Sequence, residues 1–332
     1  MTAPIVTFSN NKGGVGKTSL VYHLAWMLAD LGHRVVAADL DPQANLTSAF
    51  LDEREIEDVW ANGSDRATVW GSIRPFHEGE SAIVSARAHQ TGDDRLVLLA
   101  GDLELSSFED DLSGAWPECL DGKPRAFRVM SAFWRVLNDA ASSHEADVVL
   151  VDVGPSLGAI NRGVLVASDH VVLPVAPDLF SLQGLRNLGP TLAGWRSGWA
   201  ERRKHGPPDL AVPAGDMAVV GYVVMGHAVR LDRPVKAYQR WLAEIPGEFR
   251  GSVLRQATEQ VPAPETDPYC LAQLKHYRSL MPLAQEARKP MFALKPADGA
   301  FGGHYQAAQS AYVDFRALAT VLTDRLGLTR PG

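Results

Sequence analysis

Apolar residues come in short runs and in helix-spaced stripes, and the two kinds of pattern take turns along the chain. Ile5-Val6-Thr7-Phe8 is a nearly continuous apolar run and predicts a buried strand over about 4–9. Leu20, Leu24, Met27, Leu28 and Leu31 then recur at three- and four-residue spacing, one face of a helix over about 17–31 that Gly32 ends. Further strands are predicted at Arg34 to Asp39, Leu96 to Leu99, Val148 to Val151 (running into Asp152), Val171 to Val175, and over 218–225. Helices are predicted at about 125–143, at about 181–200 with Leu182, Leu185, Leu188, Leu192, Trp195 and Trp199, and at about 305–326. Strands apolar on both faces, alternating with amphipathic helices, define an α/β fold: a mostly parallel sheet flanked by helices on both faces.

Composition agrees with this pattern. The 332 residues are 46% hydrophobic, ample for one large core, and no linker rich in Pro, Gly or Ser divides them apart from a loop expected at 204–216. A single domain over 1–332 is expected, with a mixed, less typical region at about 52–125. Residues 102–121 carry seven acidic side chains and no Lys or Arg. The formal charge of −7 excludes a wholly basic protein that coats nucleic acid, but not a local basic patch. Cys119 and Cys270 sit in no CxxC or Cys/His cluster and read as inert, reduced thiols. No signal peptide and no 18-residue apolar run is present, so the expectation is a cytoplasmic protein without a membrane segment.

The chemistry is concentrated between the first strand and the first helix. Residues 10–19 read Asn-Asn-Lys-Gly-Gly-Val-Gly-Lys-Thr-Ser, and strand, glycine-rich loop, helix is the context a phosphate-binding loop requires. Gly13, Gly14 and Gly16 let the backbone turn its N–H groups onto phosphate oxygens, and the helix start adds its positive end. Lys17 would reach the β- and γ-phosphates of ATP, and the Thr18 hydroxyl would ligate Mg²⁺. Asn11, Lys12, Val15 and Ser19 complete the expected nucleotide-binding stretch, although Asn11 stands where the common G-x-x-x-x-G-K-[ST] pattern has glycine. A dinucleotide-binding reading fails, because Gly14-Val15-Gly16 lacks the third glycine. Asp39, Asp41 and Asp152 follow strand ends, where open α/β sheets bind ligands; Asp152 is placed as a metal-holding carboxylate.

Lys-Gly-Gly-Val-Gly-Lys-Thr, with its extra Lys12, resembles the deviant Walker A loop of the ParA/MinD family of dimerising ATPases. The resemblance implies that Lys12 crosses a dimer interface to the partner's bound nucleotide. Asp39-Leu40-Asp41-Pro42-Gln43 resembles the family's switch I, implying that Asp41 orients the attacking water and Asp39 helps hold the metal. Asp152-Val153-Gly154-Pro155-Ser156-Leu157-Gly158 resembles switch II, with Gly154 where the first proline is usual. Pro174-Val175-Ala176-Pro177-Asp178 resembles a segment at the dimer face, Met225 closes a strand as in the family, and the stretch from Pro282 through Pro290 to Met291 resembles the one that ends near the adenine. The catalytic set is therefore Lys12, Lys17 and Asp41; the metal set is Thr18, Asp39 and Asp152; Met225 and Pro290 are expected at the adenine.

By the same resemblance the protein is expected to bind ATP and Mg²⁺, to form a nucleotide-sandwich homodimer and to bind DNA without sequence preference. A stimulating partner, ParB-like or a cargo adaptor, would promote slow hydrolysis, with nucleoid association in the ATP state. A chain beginning at the first strand is expected to lack the helix-turn-helix domain that some relatives carry in front. Basic residues cluster at Arg186, Arg196, Arg202, Arg203 and Lys204, and again at Lys275, Arg278, Arg288, Lys289 and Lys295, with Arg316, Arg325 and Arg330 later. The stripe Tyr312, Phe315, Leu318, Leu322, Leu326 reads as core packing rather than a membrane-binding foot. Two alternatives stay open: a positioning or assembly ATPase that does not use DNA, and a metabolic enzyme on the same fold that phosphorylates a small acid.

Overall fold

The computed structural model describes residues 2–61, 66–227, 235–257, 260–277 and 279–329. Arg278 and Arg330 lie outside them. Eight strands form one sheet: β1 (Ile5–Phe8), β2 (Val35–Leu40), β3 (His89–Gln90), β4 (Leu96–Leu99), β5 (Val148–Val153), β6 (His170–Val175), β7 (Ala218–His227) and β8 (Cys270–Lys275), in the order β3-β4-β2-β5-β1-β6-β7-β8. Every neighbouring pair is parallel except β3 with β4. The mixed region therefore contributes an antiparallel edge and β4 to the same sheet.

The helices are α1 (Lys17–Asp30), α2 (Asn45–Phe50), α3 (Glu53–Ala61), α4 (Val69–His77), α5 (Phe108–Glu118), α6 (Pro124–Met130), α7 (Ala132–His144), α8 (Ala159–Ala167), α9 (Leu179–Arg203), α10 (Val235–Glu248), α11 (Met281–Ala287) and α12 (Gly303–Leu326). Successive strand residues point to opposite faces, so the central strands feed two cores. Val36, Ala38, Val149, Val151 and Val171 pack under α4 to α9; Val35, Ala37, Val148, Leu150 and Val172 pack under α1 and α12. Central strands buried on both faces need apolar residues throughout, which is why they read as runs without alternation.

The helix expected at 125–143 is two helices meeting at Ser131, whose hydroxyl bonds back to the Phe127 carbonyl at 2.7 Å. Trp199 is fully buried, stacks on Trp116 with ring centroids 6.2 Å apart, and donates its indole N–H to Pro213 O. Phe315, Leu318 and Leu322 of the last helix are buried in the core shared with α1, so the stripe is packing. Among the described residues no helix is long and apolar enough to cross a membrane. Burial pushes both thiols up to about 12, so they stay protonated.

Candidate nucleotide-binding site

The strand order gathers the chemistry. β2, β5 and β1 are adjacent, with Phe8 beside Asp152 and Asp152 beside Asp39. The loops leaving their carboxyl ends converge, as ligand sites of open parallel sheets do. They enclose a cavity of about 480 Å³ lined by the loop from Lys12 to Ser19, by Asp41, Gln43, Asn45 and Pro155, and at its far end by Tyr22, Met281 and Gln285.

Gly14 and Gly16 adopt φ of +74° and +89°, a left-handed conformation that admits a side chain only with strain. Gly16 is also the residue at which α1 begins, so the loop turns straight into a helix N-terminus. Lys17 is buried, with Nζ 3.2 Å from Asp152 Oδ1, and Thr18 Oγ1 donates to Asp152 Oδ2 at 2.6 Å. Burial raises the Asp152 pKa, and the Lys17 charge and Thr18 hydroxyl pull against that rise. Asp152 is wholly buried, and its Oδ1 makes no directed hydrogen bond. With Oδ1 meeting only the Lys17 ammonium and Oδ2 the Thr18 hydroxyl, this buried pair of oxygen donors beside the phosphate loop has the chemistry that holds a hard cation. Among the described residues no three His, Cys, Asp or Glu side chains form an all-protein metal cage. Mg²⁺ needs none, because it is usually held by one or two protein oxygens together with phosphates and waters. Thr18 and Asp152 are the pair that would hold it.

Asp41 is buried at the cavity wall and accepts the Gln43 N–H at 3.0 Å. Asp39, like Asp152, is buried outside the cavity lining, and both of its oxygens are engaged: Oδ2 accepts the Thr47 N–H and hydroxyl at 2.8 Å each, and Oδ1 accepts the Asp41 N–H at 3.2 Å. Burial, then repulsion from Asp152, pushes its pKa up to about 7. Its bonds make it a strut that sets the turn carrying Asp41 and the start of α2.

Lys12 Nζ pairs with Asp178 at 2.5 Å, and Asp178 also caps α9 by accepting the Ser181 N–H. Asn10, which sequence reasoning passed over, accepts the Lys12 N–H through Oδ1 at 2.8 Å and donates to Pro174 O, so it ties the loop to β6. Asn11 faces α9: its Oδ1 lies 2.6 Å from where a Cβ on Gly184 would be. Met225 and Pro290 are outside the cavity lining. Met225 Cε lies 3.2 Å from where a Cβ on Gly16 would be, and Pro290 is buried just past α11. The far end of the cavity is lined by Tyr22 and Met281, which no motif marked, and by Ala284 and Gln285, which lie in the stretch from Pro282 to Met291.

A phosphate loop, a buried lysine, and a hydroxyl–carboxylate pair at the head of a parallel sheet define a P-loop nucleotide-binding protein. The AAA domain family (AAA_31) matches residues 3–197, more than half of the chain. The chain belongs to that family and is of the ParA/MinD type within the P-loop ATPases. The chromosome-partitioning ATPase Soj of Thermus thermophilus is 33% identical over 193 residues, 58% of this chain and 63% of that one. The curated relatives are matched over less than two thirds of their own length. Among solved structures, the protein DIP2308 of Corynebacterium diphtheriae superposes with a TM-score of 0.71 at 24% identity, over 97% of this chain and 98% of the other. An ATP complex of an McdA variant from Cyanothece gives a TM-score of 0.63 at 12% identity, over 100% and 99% of the two chains. These likenesses extend the shared fold to the whole length.

Proposed function

We propose that this chain is an ATP-driven dimerisation switch that grips DNA without sequence preference and releases it on slow ATP hydrolysis, partitioning DNA or positioning cargo. The observation that carries the reading is the convergence of Lys12, Lys17, Thr18 and Asp41 on one cavity of about 480 Å³, with Asp152 buried behind it and bonded to Lys17 and Thr18. ATP enters with its phosphates in the loop, where backbone N–H groups and Lys17 offset the charge that spreads over the γ-phosphoryl oxygens in the transition state. Thr18 and Asp152 would hold Mg²⁺, which would supply charge neutralisation at the phosphates. Asp41 positions the attacking water. Lys12 leaves Asp178 and reaches the nucleotide of a second copy, so each active site is complete only in the homodimer.

The DNA surface in this reading lies on the α11–α12 side. In the other cluster, Arg196 donates to the carbonyls of Asp216 and Met217, Arg202 to Trp116 O and Arg203 to Ala214 O, all bonds that hold α9 to its neighbours. Lys275, Arg288, Lys289, Lys295 and Arg316 are exposed, as is Arg325, although Arg325 donates to Pro268 O. The pairs Arg288–Asp52 and Lys289–Asp298 are exposed surface pairs worth little, so phosphates can replace the acids. A partner protein would accelerate hydrolysis, and the ATP form would sit on the nucleoid. The Soj likeness supports this reading over a DNA-indifferent positioning ATPase.

The test is DNA binding by Asp41→Ala with ATP, ADP or no nucleotide, across a salt series. Binding with ATP alone that weakens steeply as salt rises is expected. Equal binding in all three states, or none by a protein that dimerises with ATP, would refute the DNA role.

A further inference from the structure

The acidic stretch at 102–121 takes no direct part in the nucleotide site, yet one of its carboxylates reaches back toward it. Glu109 on α5 accepts the Ala159 N–H through Oε1 at 2.5 Å and the Ile160 N–H through Oε2 at 2.8 Å. These are the first two N–H groups of α8, which have no partner within the helix, and a carboxylate there is also favoured by the helix dipole. The fit is close: a Cβ on Gly158 would lie 2.6 Å from Glu109 Oε1. One turn into the same helix, Asn161 is 2% exposed, and its Nδ2 donates to Gly154 O at 2.7 Å and to Ser156 O at 2.6 Å. The head of α8 is thus fixed by α5 and in turn grips the loop that leaves Asp152.

That loop touches the reacting end of the cavity. Pro155 lines it, and Gly154 stands against Asp41, where a Cβ would lie 3.2 Å from Asp41 Oδ1. Glycine leaves the backbone at 154 freer than the proline usual in similar segments would. The restraint on this loop comes from side chains instead.

We propose that Glu109 and Asn161 are positioning residues for hydrolysis, acting through residues 154–158 to hold Asp41 in place. The proposal rests on the ATPase reading. Neither side chain lines the cavity, so nucleotide affinity does not depend on them, whereas a misplacement of about 1 Å at a reacting group can cost on the order of a hundredfold in rate. It also gives the acidic region a function that its sequence did not disclose.

The experiment compares the unaltered protein with Asn161→Asp, Glu109→Ala and Gly158→Ala. Asn161→Asp keeps the shape and turns two donated bonds into repulsions; Gly158→Ala pushes the Glu109 carboxylate from the other side. Mg·ATP affinity, turnover, thermal unfolding and amide hydrogen exchange over 154–158 are measured on each folded protein. We expect affinity within about twofold, turnover lower by about tenfold or more, and faster exchange over 154–158. A merely structural role would lower the unfolding temperature and leave turnover per folded molecule unchanged, and that result would overturn the proposal. Absence of turnover in the unaltered protein would instead refute the ATPase reading, and this proposal with it. If one variant does not fold, the other two decide.

Discussion

Replacing Asp39 by Asn tests whether this buried carboxylate keeps its proton in the folded protein. The side chain is fully buried, and its pKa is raised from 3.8 to about 7 by burial and by Asp152 across the β2–β5 pairing. In the unfolded chain it loses its proton near pH 4. Between pH 4 and 7 the folded state therefore binds the extra proton, and this group's contribution to stability falls as pH rises through that window. One pKa unit corresponds to about 1.4 kcal/mol, so the two units between pH 5 and 7 amount to about 3 kcal/mol. Asn carries no charge and escapes that loss. It also turns a donor toward the Asp41 N–H, giving up a 3.2 Å bond at a cost of about 1 kcal/mol that does not change with pH. Urea unfolding without nucleotide, at pH 5 and pH 8, reads the difference. Relative to the unaltered protein, Asp39→Asn should gain about 3 kcal/mol between the two pH values. Parallel stability curves would refute the argument, because they would mean that Asp39 is ionised and solvated in the folded protein.

Other outcomes follow from the same geometry. Lys17→Ala should abolish ATP binding in a titration with labelled nucleotide; unchanged affinity would remove Lys17 from the phosphate site. Trp199→Ala empties a fully buried site and breaks the bond to Pro213 O, so chemical denaturation should show a loss of about 3–5 kcal/mol. Lys295→Glu with Arg316→Glu should weaken DNA binding by the ATP form and flatten its salt dependence, leaving ATP affinity unchanged; an unaltered salt slope would move the DNA surface elsewhere.

The sequence disclosed what local chemistry determines. The glycines of 13–16 mark their own turn, and apolar runs ending in Asp39 and Asp152 mark strands whose ends share one edge of the sheet. Contacts between distant segments left no such mark. Asp39 and Asp41 look alike in a motif, and only packing separates the residue with both oxygens engaged from the one at the cavity wall. Glu109 was one acid among seven, because the two N–H groups it accepts lie about fifty positions away. The resemblance named Met225 and the stretch from Pro282 to Met291; that stretch meets the cavity through Ala284 and Gln285, joined by Tyr22 of α1, while Met225 and Pro290 are not in the lining. Helix α8 and strand β8 were not predicted: the first is short and follows the switch-like loop directly, and the second buries only Leu271 and Leu274, without strand-like alternation, at a sheet edge.

The central claim is that ATP joins two copies through Lys12. Solution mass measured by light scattering, with Mg·ATP and with Mg·ADP, for Asp41→Ala alone and combined with Lys12→Ala, addresses it most directly. The 36.0 kDa chain should double its mass with ATP only, and the added Lys12→Ala change should keep ATP bound but leave the mass single. A mass that stays single at saturating ATP, or doubles without regard to nucleotide or Lys12, would contradict the account.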